Sequence, residues 1–319
     1  MSFSLIIHGG AGNIFPGMMT AEEETLYKLG LEQALQAGYR VLKSGGSAVD
    51  AVASAIASLE DDPMFNAGRG AVFTKKGINE MDAAIMDGSN LAAGAVAGVR
   101  NVKNPIKLAR EVMLHSGHVF LSGAGAGEFA LNRGIELAPD EYFLNKARYE
   151  QWLEIRDSDY YQLDHKADNL KGAPKTDYKF GTVGAVACDQ NGNLAAGTST
   201  GGMTNKQYGR IGDSPVIGAG TYANNTTCGI SCTGHGEFFL RRVVAHDISC
   251  LMEYRGLSLK EACNIVVKGK LVEMGGEGGL IAMNAKGNHD FCFNSTGMYR
   301  GFIDASGKWM TAFYGVENE

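Results

Sequence analysis

Two threonines, Thr182 in "KFGTVGAVA" and Thr200 in "GTSTGG", lie on either side of a turn that would bring their hydroxyls together. The turn "DQNGN" reads as a three-residue hairpin loop, a type I turn followed by Gly192 in the left-handed region. Pairing symmetric about Asn191 sets Cys188 opposite Leu194 and, further out, Thr182 opposite Thr200, with Cβ atoms roughly 4.5 to 5.5 Å apart on one face. Such a pair could do no more than pack. A threonine hydroxyl becomes an effective nucleophile when a base takes its proton. The threonine's own α-amino group, with a reference pKa of about 7.7 to 8.0, can be that base if the residue is a chain terminus. The residues upstream offer a route to one. Attack of the Thr182 hydroxyl on the Gly181 carbonyl would cut the chain, and glycine there admits strained backbone angles and keeps a Cβ out of the attacking oxygen's way. Residues 157–179 are polar and carry no helical or strand period, which predicts a mobile linker that lets the new end withdraw.

The elements that must hold this pair follow from apolar periodicity. "SLIIHGGAG" reads as a buried strand ending in a glycine turn, and Thr20 with Glu23 forms a capping box for an amphipathic helix running to about Leu42. "SGGSAVDAVASAIASLE" gives a glycine break and an alanine-rich helix that can pack closely on a sheet. "GAVFT" and "MDAAIMDG" read as strands of a hairpin and "LAAGAVAGV" as another strand. Asn104 and Pro105 begin a helix to about Met113, and "HVFLSGAGAGEFALNRG" is strand, glycine turn and helix. Beyond the linker come strands 182–188 and 194–200, strands near 216 and 229, and helices from Glu237 to about Tyr254 and Ser258 to about Leu271. A hairpin through "LIAMNAKGNHDFCF" and a last strand "KWMTAFYGV" close the chain. Hairpin-joined strands grouped apart from paired helices predict an α+β fold of antiparallel sheets under helical layers, rather than βαβ units.

Composition narrows the function classes. The chain has 319 residues, 45% hydrophobic and 20% charged, enough to bury a sizeable core. Its 29 basic residues are scattered and outnumbered by 35 acidic ones, which argues against a nucleic-acid partner. No run approaches the roughly 18 apolar residues of a membrane span. The N-terminus lacks a signal peptide's basic and apolar regions, so a cytoplasmic protein with no membrane partner is expected. The six cysteines show no paired metal-ligand spacing and read as reduced core residues.

The motifs "GTVGAVA", "TSTGGMTNK", "GRIGDSPVIGAG" and "SCTGHGE" resemble the plant-type L-asparaginase and isoaspartyl peptidase family of N-terminal-nucleophile hydrolases. "IIHGGAG", "DPMFNAGRGAVFT", "MDAAIMDG", "GAVAGV" and "GGLIAMNAKG" extend the resemblance to nearly the whole chain outside the linker. It implies a single-domain αββα sandwich, made as a precursor that cleaves itself between Gly181 and Thr182. The products would be an α subunit of residues 1–181 and a β subunit of residues 182–319, two such pairs forming a heterotetramer. The implied reaction is hydrolysis of L-asparagine and isoaspartyl dipeptides to release L-aspartate through an acyl-enzyme on Thr182, with no cofactor for catalysis. Residue by residue, the resemblance implies that Thr200 supports the Thr182 hydroxyl, and that Arg210 and Asp213 hold the substrate's α-carboxylate and α-ammonium. Thr233 and Gly234 would contact substrate and stabilise the oxyanion, Gly236 would meet the ligand backbone-first, and Asn66 would position the scissile bond. "LEDDPMFNAGRG" resembles the family's structural-sodium loop, whose ligands would be the backbone carbonyls of Leu59, Glu60, Asp62, Phe65, Ala67 and Arg69. His235 stands where bacterial members often have threonine, and it either lines the pocket or points to solvent.

Other readings stand beside this one. Glycosylasparaginases share the fold but typically place aspartate before the nucleophile, where this chain has Gly181. A same-fold protease that cuts after aspartate is more distant. "GTSTG" matches GxSxG, and Ser199, Asp213 and His235 fall in the chain order of an α/β-hydrolase esterase. The nucleophile elbow of that fold needs a helix directly after the serine, and "GGMTNKQYGRIGD" has no helical period. At Arg210 and Asp213 the plain alternative is an i, i+3 surface ion pair. "GAGAG" is not GxGxxG and reads as a helix-capping turn, and His8 as a hydrogen-bonded core histidine.

Overall fold

The computed structural model describes residues 3–158 and 181–315, so the expected linker at 157–179 lies outside the described residues apart from its first two. The first half of the chain runs β1 (Ser4–Gly12), α1 (Ala21–Lys43), α2 (Ala48–Asp61), β2 (Met81–Asp87), β3 (Ala93–Val99), α3 (Pro105–His115), β4 (Phe120–Ser122), α4 (Gly123–Asn132) and α5 (Lys146–Ile155). The second half runs β5 (Val183–Cys188), β6 (Leu194–Thr200), β7 (Thr221–Ala223), β8 (Gly229–Gly234), α6 (Gly236–Arg242), α7 (Val244–Arg255), α8 (Leu259–Asn264), α9 (Leu271–Glu273), β9 (Gly278–Met283), β10 (His289–Phe293), β11 (Gly297–Asp304) and β12 (Trp309–Tyr314). A π-helical turn, Ile265–Lys270, joins α8 to α9.

Hydrogen bonding orders one eight-stranded sheet as β12-β11-β1-β5-β6-β2-β3-β4 and a four-stranded sheet as β10-β9-β8-β7. The pairing is antiparallel except between β3 and β4. Alternation along the strands then sorts side chains into layers. Val183, Ala185 and Ala187 of β5 join Leu31, Val52, Ile56 and Leu108 in a core under α1, α2 and α3. Val186 and Cys188 point the other way and pack with Ile281 and Met283 of the second sheet. On the far face of that sheet Ile230, Cys232 and Leu280 meet Ile248 and Cys263 of α7 and α8. Three apolar layers between helices, sheet, sheet and helices make the expected αββα sandwich.

Local chemistry accounts for the elements nearest the site. The capping box forms as the sequence predicts: Glu23 N–H donates to Thr20 Oγ1 at 3.1 Å and Thr20 N–H to Glu23 Oε2 at 2.8 Å. Small residues let α2 lie close on the sheet; a Cβ at Gly197 of β6 would stand 2.8 Å from Val52 Cγ1.

Several expectations are corrected. "GAVFT" is not a strand. Its backbone is held by side chains and loops instead, with Asn66 Oδ1 accepting Val72 N–H at 3.1 Å, Asn79 Nδ2 donating to Ala71 O at 2.8 Å and Asn205 N–H to Phe73 O at 2.8 Å. The expected strand near 216 reduces to a bridge between Ile217 and Thr221. The helix expected over 237–254 breaks at Val243, which takes a left-handed conformation, into α6 and α7. The glycines of "GAGAG" form the first turn of α4 rather than a separate turn. β11, which the apolar pattern did not announce, lies against β1.

Candidate active site

The hairpin has the expected register, Val183 facing Ser199 and Cys188 facing Leu194. One step beyond the ladder, Thr182 Oγ1 donates to Thr200 Oγ1 at 3.1 Å. Even-numbered residues of β5 and β6 face the second sheet, so both hydroxyls point into the space between the sheets. Asp82 of β2 is the register partner of Thr200 and extends this row across a third strand. Thr200 Oγ1 also accepts the Gly202 N–H at 2.9 Å, which orients the hydroxyl.

Gly181 is required by packing. The strand β1 has an irregularity between His8 and Gly10, and Gly10, at φ 116°, is brought against Gly181. A Cβ at Gly10 would stand 2.6 Å from Gly181 Cα. One at Gly181 would run into Gly10 Cα and stand 2.9 Å from Thr233 Oγ1. Thr233 is fully buried on β8 and accepts the Ala11 N–H at 3.3 Å, so its hydroxyl stands beside Gly181. Gly234 follows at φ 150°, where a Cβ would meet Gly278 Cα at 2.7 Å.

Arg210 and Asp213 come from the loop between β6 and β7 and converge on Gly236, where a Cβ would stand 2.8 Å from Arg210 Nη2 and 2.9 Å from Asp213 Oδ1. They do not form the i, i+3 ion pair. Arg210 Nε and Nη2 each donate at 2.9 Å to the two oxygens of Glu237, at the start of α6. Asp213 is buried, and its Oδ2 has no partner. Burial pushes its carboxyl up to about 7, although Arg210 pulls the other way. Burial also pushes the Glu237 carboxyl up, but hydrogen bonds and charge from Arg210 outweigh this and hold it below its ordinary value. His235 is partly buried, with Nε2 3.4 Å from Glu237 Oε2 and its ring edge-on to Phe238, so it turns toward the Arg210–Glu237 pair.

Asn66 braces the segment after Thr200: its Nδ2 donates to Gly202 O at 2.8 Å, and its own carbonyl accepts the Gly201 N–H at 3.0 Å. In the "LEDDPMFNAGRG" loop the backbone folds onto the end of α2. A Cβ at Gly68 would collide with Glu60 O, and one at Gly70 would collide with Phe65 O and stand 2.8 Å from Pro63 O. The last carbonyls of a helix lack intrahelical donors, and in this loop those of Asp62, Phe65 and Ala67 accept the N–H groups of Phe65, Ala67 and Gly70. Arg148 threads the same loop, buried, with Nε donating to Gly70 O at 3.1 Å and Nη2 to Met64 O at 3.3 Å.

The Glu60 side chain had no sequence signal. Glu60 is buried with Oε1 accepting from Ser199 Oγ at 2.6 Å and from Ile106 N–H at 2.9 Å, and burial pushes its carboxyl up to about 8. That bond removes the Ser199 triad: the serine is fully buried on the helix-facing side of β6, opposite to Thr200, and no helix follows it. His8 is the expected core histidine, with Nε2 2.9 Å from Ser231 Oγ, and burial pushes it down to about 3. Among the described residues no cluster of three metal-ligating side chains occurs.

Comparison with known proteins sets this geometry in context. A family model described as asparaginase matches residues 1–312. The chain is 50% identical over 311 residues to an isoaspartyl peptidase of Salmonella typhimurium, covering 97% of this chain and 98% of that one. It is 50% identical to an isoaspartyl peptidase of Escherichia coli, covering 97% and 95%. An isoaspartyl peptidase/L-asparaginase of Homo sapiens is 42% identical over 299 residues, covering 92% and 91%.

Proposed function

The chain belongs to the asparaginase family of hydrolases, and from that premise we propose that it cleaves itself before Thr182 and then hydrolyses isoaspartyl dipeptides and L-asparagine. The observation that carries this reading is the contact of the Thr182 and Thr200 hydroxyls at 3.1 Å, beside a Gly181 wedged against Gly10 and Thr233.

In the precursor, Thr182 Oγ1 adds to the Gly181 carbonyl carbon, its proton passes to the Thr182 nitrogen as the C–N bond breaks, and water hydrolyses the resulting ester to free the Gly181 carboxylate and Thr182 hydroxyl. The freed α-amino group is then the base. It takes the hydroxyl proton as Oγ1 attacks the side-chain carbonyl of the substrate, and returns it to the leaving ammonia or amine. Thr233 and the Gly234 backbone face the developing oxyanion. Water releases L-aspartate from the β-aspartyl ester and regenerates Thr182.

At the other end of the substrate, the unpartnered Oδ2 of Asp213 suits an α-ammonium. Glu237 engages Nε and Nη2 of Arg210, which leaves the Nη1 edge for the α-carboxylate. A structural sodium would be held by the carbonyls of Leu59, Glu60, Asp62, Phe65, Ala67 and Arg69. It would brace the loop that carries Asn66 and take no part in the bond chemistry. The six unpaired cysteines suit a reducing cytoplasm, and no helix among the described residues is long and apolar enough to cross a membrane. We place the mature protein as a dimer of cleaved pairs, a state that sedimentation reads directly.

The test compares Thr182→Ala and Ser199→Ala on an isoaspartyl dipeptide. Thr182→Ala should stay uncleaved and inactive while a folded Ser199→Ala retains turnover; an active Thr182→Ala would overturn the proposal.

A further inference from the structure

Lys206 lies in the loop between β6 and β7 with 3% of its surface exposed, and among the described residues its ammonium donates to backbone alone, to Gly201 O at 2.9 Å and Glu80 O at 2.7 Å. The main opposing charge is Asp82, with Glu80 a smaller one; Asp82 is 1% exposed, with Oδ1 taking the Gly98 N–H at 2.8 Å and Oδ2 unpartnered among the described residues. Burial pushes Lys206 down and Asp82 up, and each group's charge opposes the other's shift. An apolar side chain of similar length would avoid the desolvation of two buried charges. The position of the carbonyl it grips gives the ammonium a role.

Gly201 O and Gly202 N–H belong to one peptide group, and in a trans peptide they point in opposite directions. Lys206 holds one end of this dipole while the other donates to Thr200 Oγ1 at 2.9 Å. Both flanking residues are glycines, Gly202 sits at φ 79°, and nothing intrinsic to a Gly-Gly peptide prevents its plane from flipping. A flip would replace this N–H donor by a carbonyl oxygen, to which the Thr200 hydroxyl would donate, and would remove the contact that fixes where its lone pair points relative to Thr182. A cation on the carbonyl also polarises the amide and strengthens its N–H as a donor.

We infer that Lys206 is a positioning residue for the threonine pair, its ammonium locking the Gly201–Gly202 peptide so that Thr200 keeps an acceptor aimed at Thr182, with Asp82 balancing the buried charge. The inference rests on the proposed role of Thr182. An active Thr182→Ala would overturn that role, whereas wild-type rates in the Lys206 variants beside an inactive Thr182→Ala would overturn this inference alone.

The experiment uses full-length Lys206→Met, Lys206→Met with Asp82→Asn, Thr200→Val, and the combination of Lys206→Met with Thr200→Val. Self-cleavage is followed by denaturing mass spectrometry, and kcat and KM on an isoaspartyl dipeptide are taken per cleaved chain. The charge-balanced double variant should keep its melting temperature yet lose about 10- to 100-fold in self-cleavage and kcat, by misplacement rather than lost chemistry. KM should stay within about twofold. Adding Lys206→Met to Thr200→Val should slow self-cleavage little further, since both act through one hydroxyl. Wild-type rates in the folded double variant would overturn the inference. So would a full multiplicative loss on top of Thr200→Val, a measurement that stands even if the double variant does not fold.

Discussion

Replacing Gly181 by alanine tests whether packing at the scissile residue controls self-cleavage. The new Cβ would run into Gly10 Cα and stand 2.9 Å from Thr233 Oγ1 and 3.1 Å from Ala11 N, against about 3.5 to 4.0 Å for relaxed contact. The Gly10 and Ala11 atoms are backbone, so no rotamer relieves the clash. Either β1 shifts at its irregularity or the scissile peptide backs away from the threonine hydroxyls. Overpacking of this kind costs about 1 to 3 kcal/mol. At about 1.4 kcal/mol per tenfold in rate, the upper figure placed entirely on the cleavage geometry slows the step roughly 100-fold. The assay is a time course of intact against cleaved chain by denaturing mass spectrometry, with melting temperature recorded alongside. Chains that do get cut no longer contain the strained bond, so their activity per cleaved chain should stay near wild type. Wild-type cleavage with an unchanged melting temperature would refute the packing argument.

Two carboxyls should report through pH. Burial pushes the Asp213 carboxyl up to about 7, so affinity for L-aspartate, read calorimetrically, should weaken as pH falls through that value, and Asp213→Asn should bind weakly at every pH. Glu60 keeps its proton up to about 8 in the fold but only to its ordinary 4.5 when unfolded. Its contribution to stability is therefore full below 4.5 and lost as pH rises toward 8. Glu60→Gln keeps the Ser199 bond without titrating and should flatten the fall of melting temperature across that window; an unchanged slope would place the titration elsewhere.

The parts of the site written in local patterns were legible in the sequence. The threonine pair follows from one glycine in one turn, because a hairpin's register is set by its loop. The residue requirement at Gly181 was legible but its cause was not: the reason is Gly10, far away in sequence, which only the β1–β5 pairing brings near. For the same reason Glu60, Arg148 and Lys206 carried no signal, since what defines each is burial against a distant backbone or hydroxyl. "GAVFT" failed as a strand because apolar alternation cannot distinguish a ladder from a segment whose hydrogen bonds end on asparagine side chains. Arg210 and Asp213 converge on Gly236, but the bidentate partner of Arg210, Glu237, comes from α6, and no local pattern pairs two residues 27 positions apart.

The bond before Thr182 is the point on which the proposed chemistry depends. Purified full-length protein, denatured and weighed intact, should give two chains corresponding to residues 1–181 and 182–319, the second beginning with Thr182 on N-terminal sequencing. An intact chain that nevertheless hydrolyses isoaspartyl dipeptides, or a second chain beginning at another residue, would contradict it.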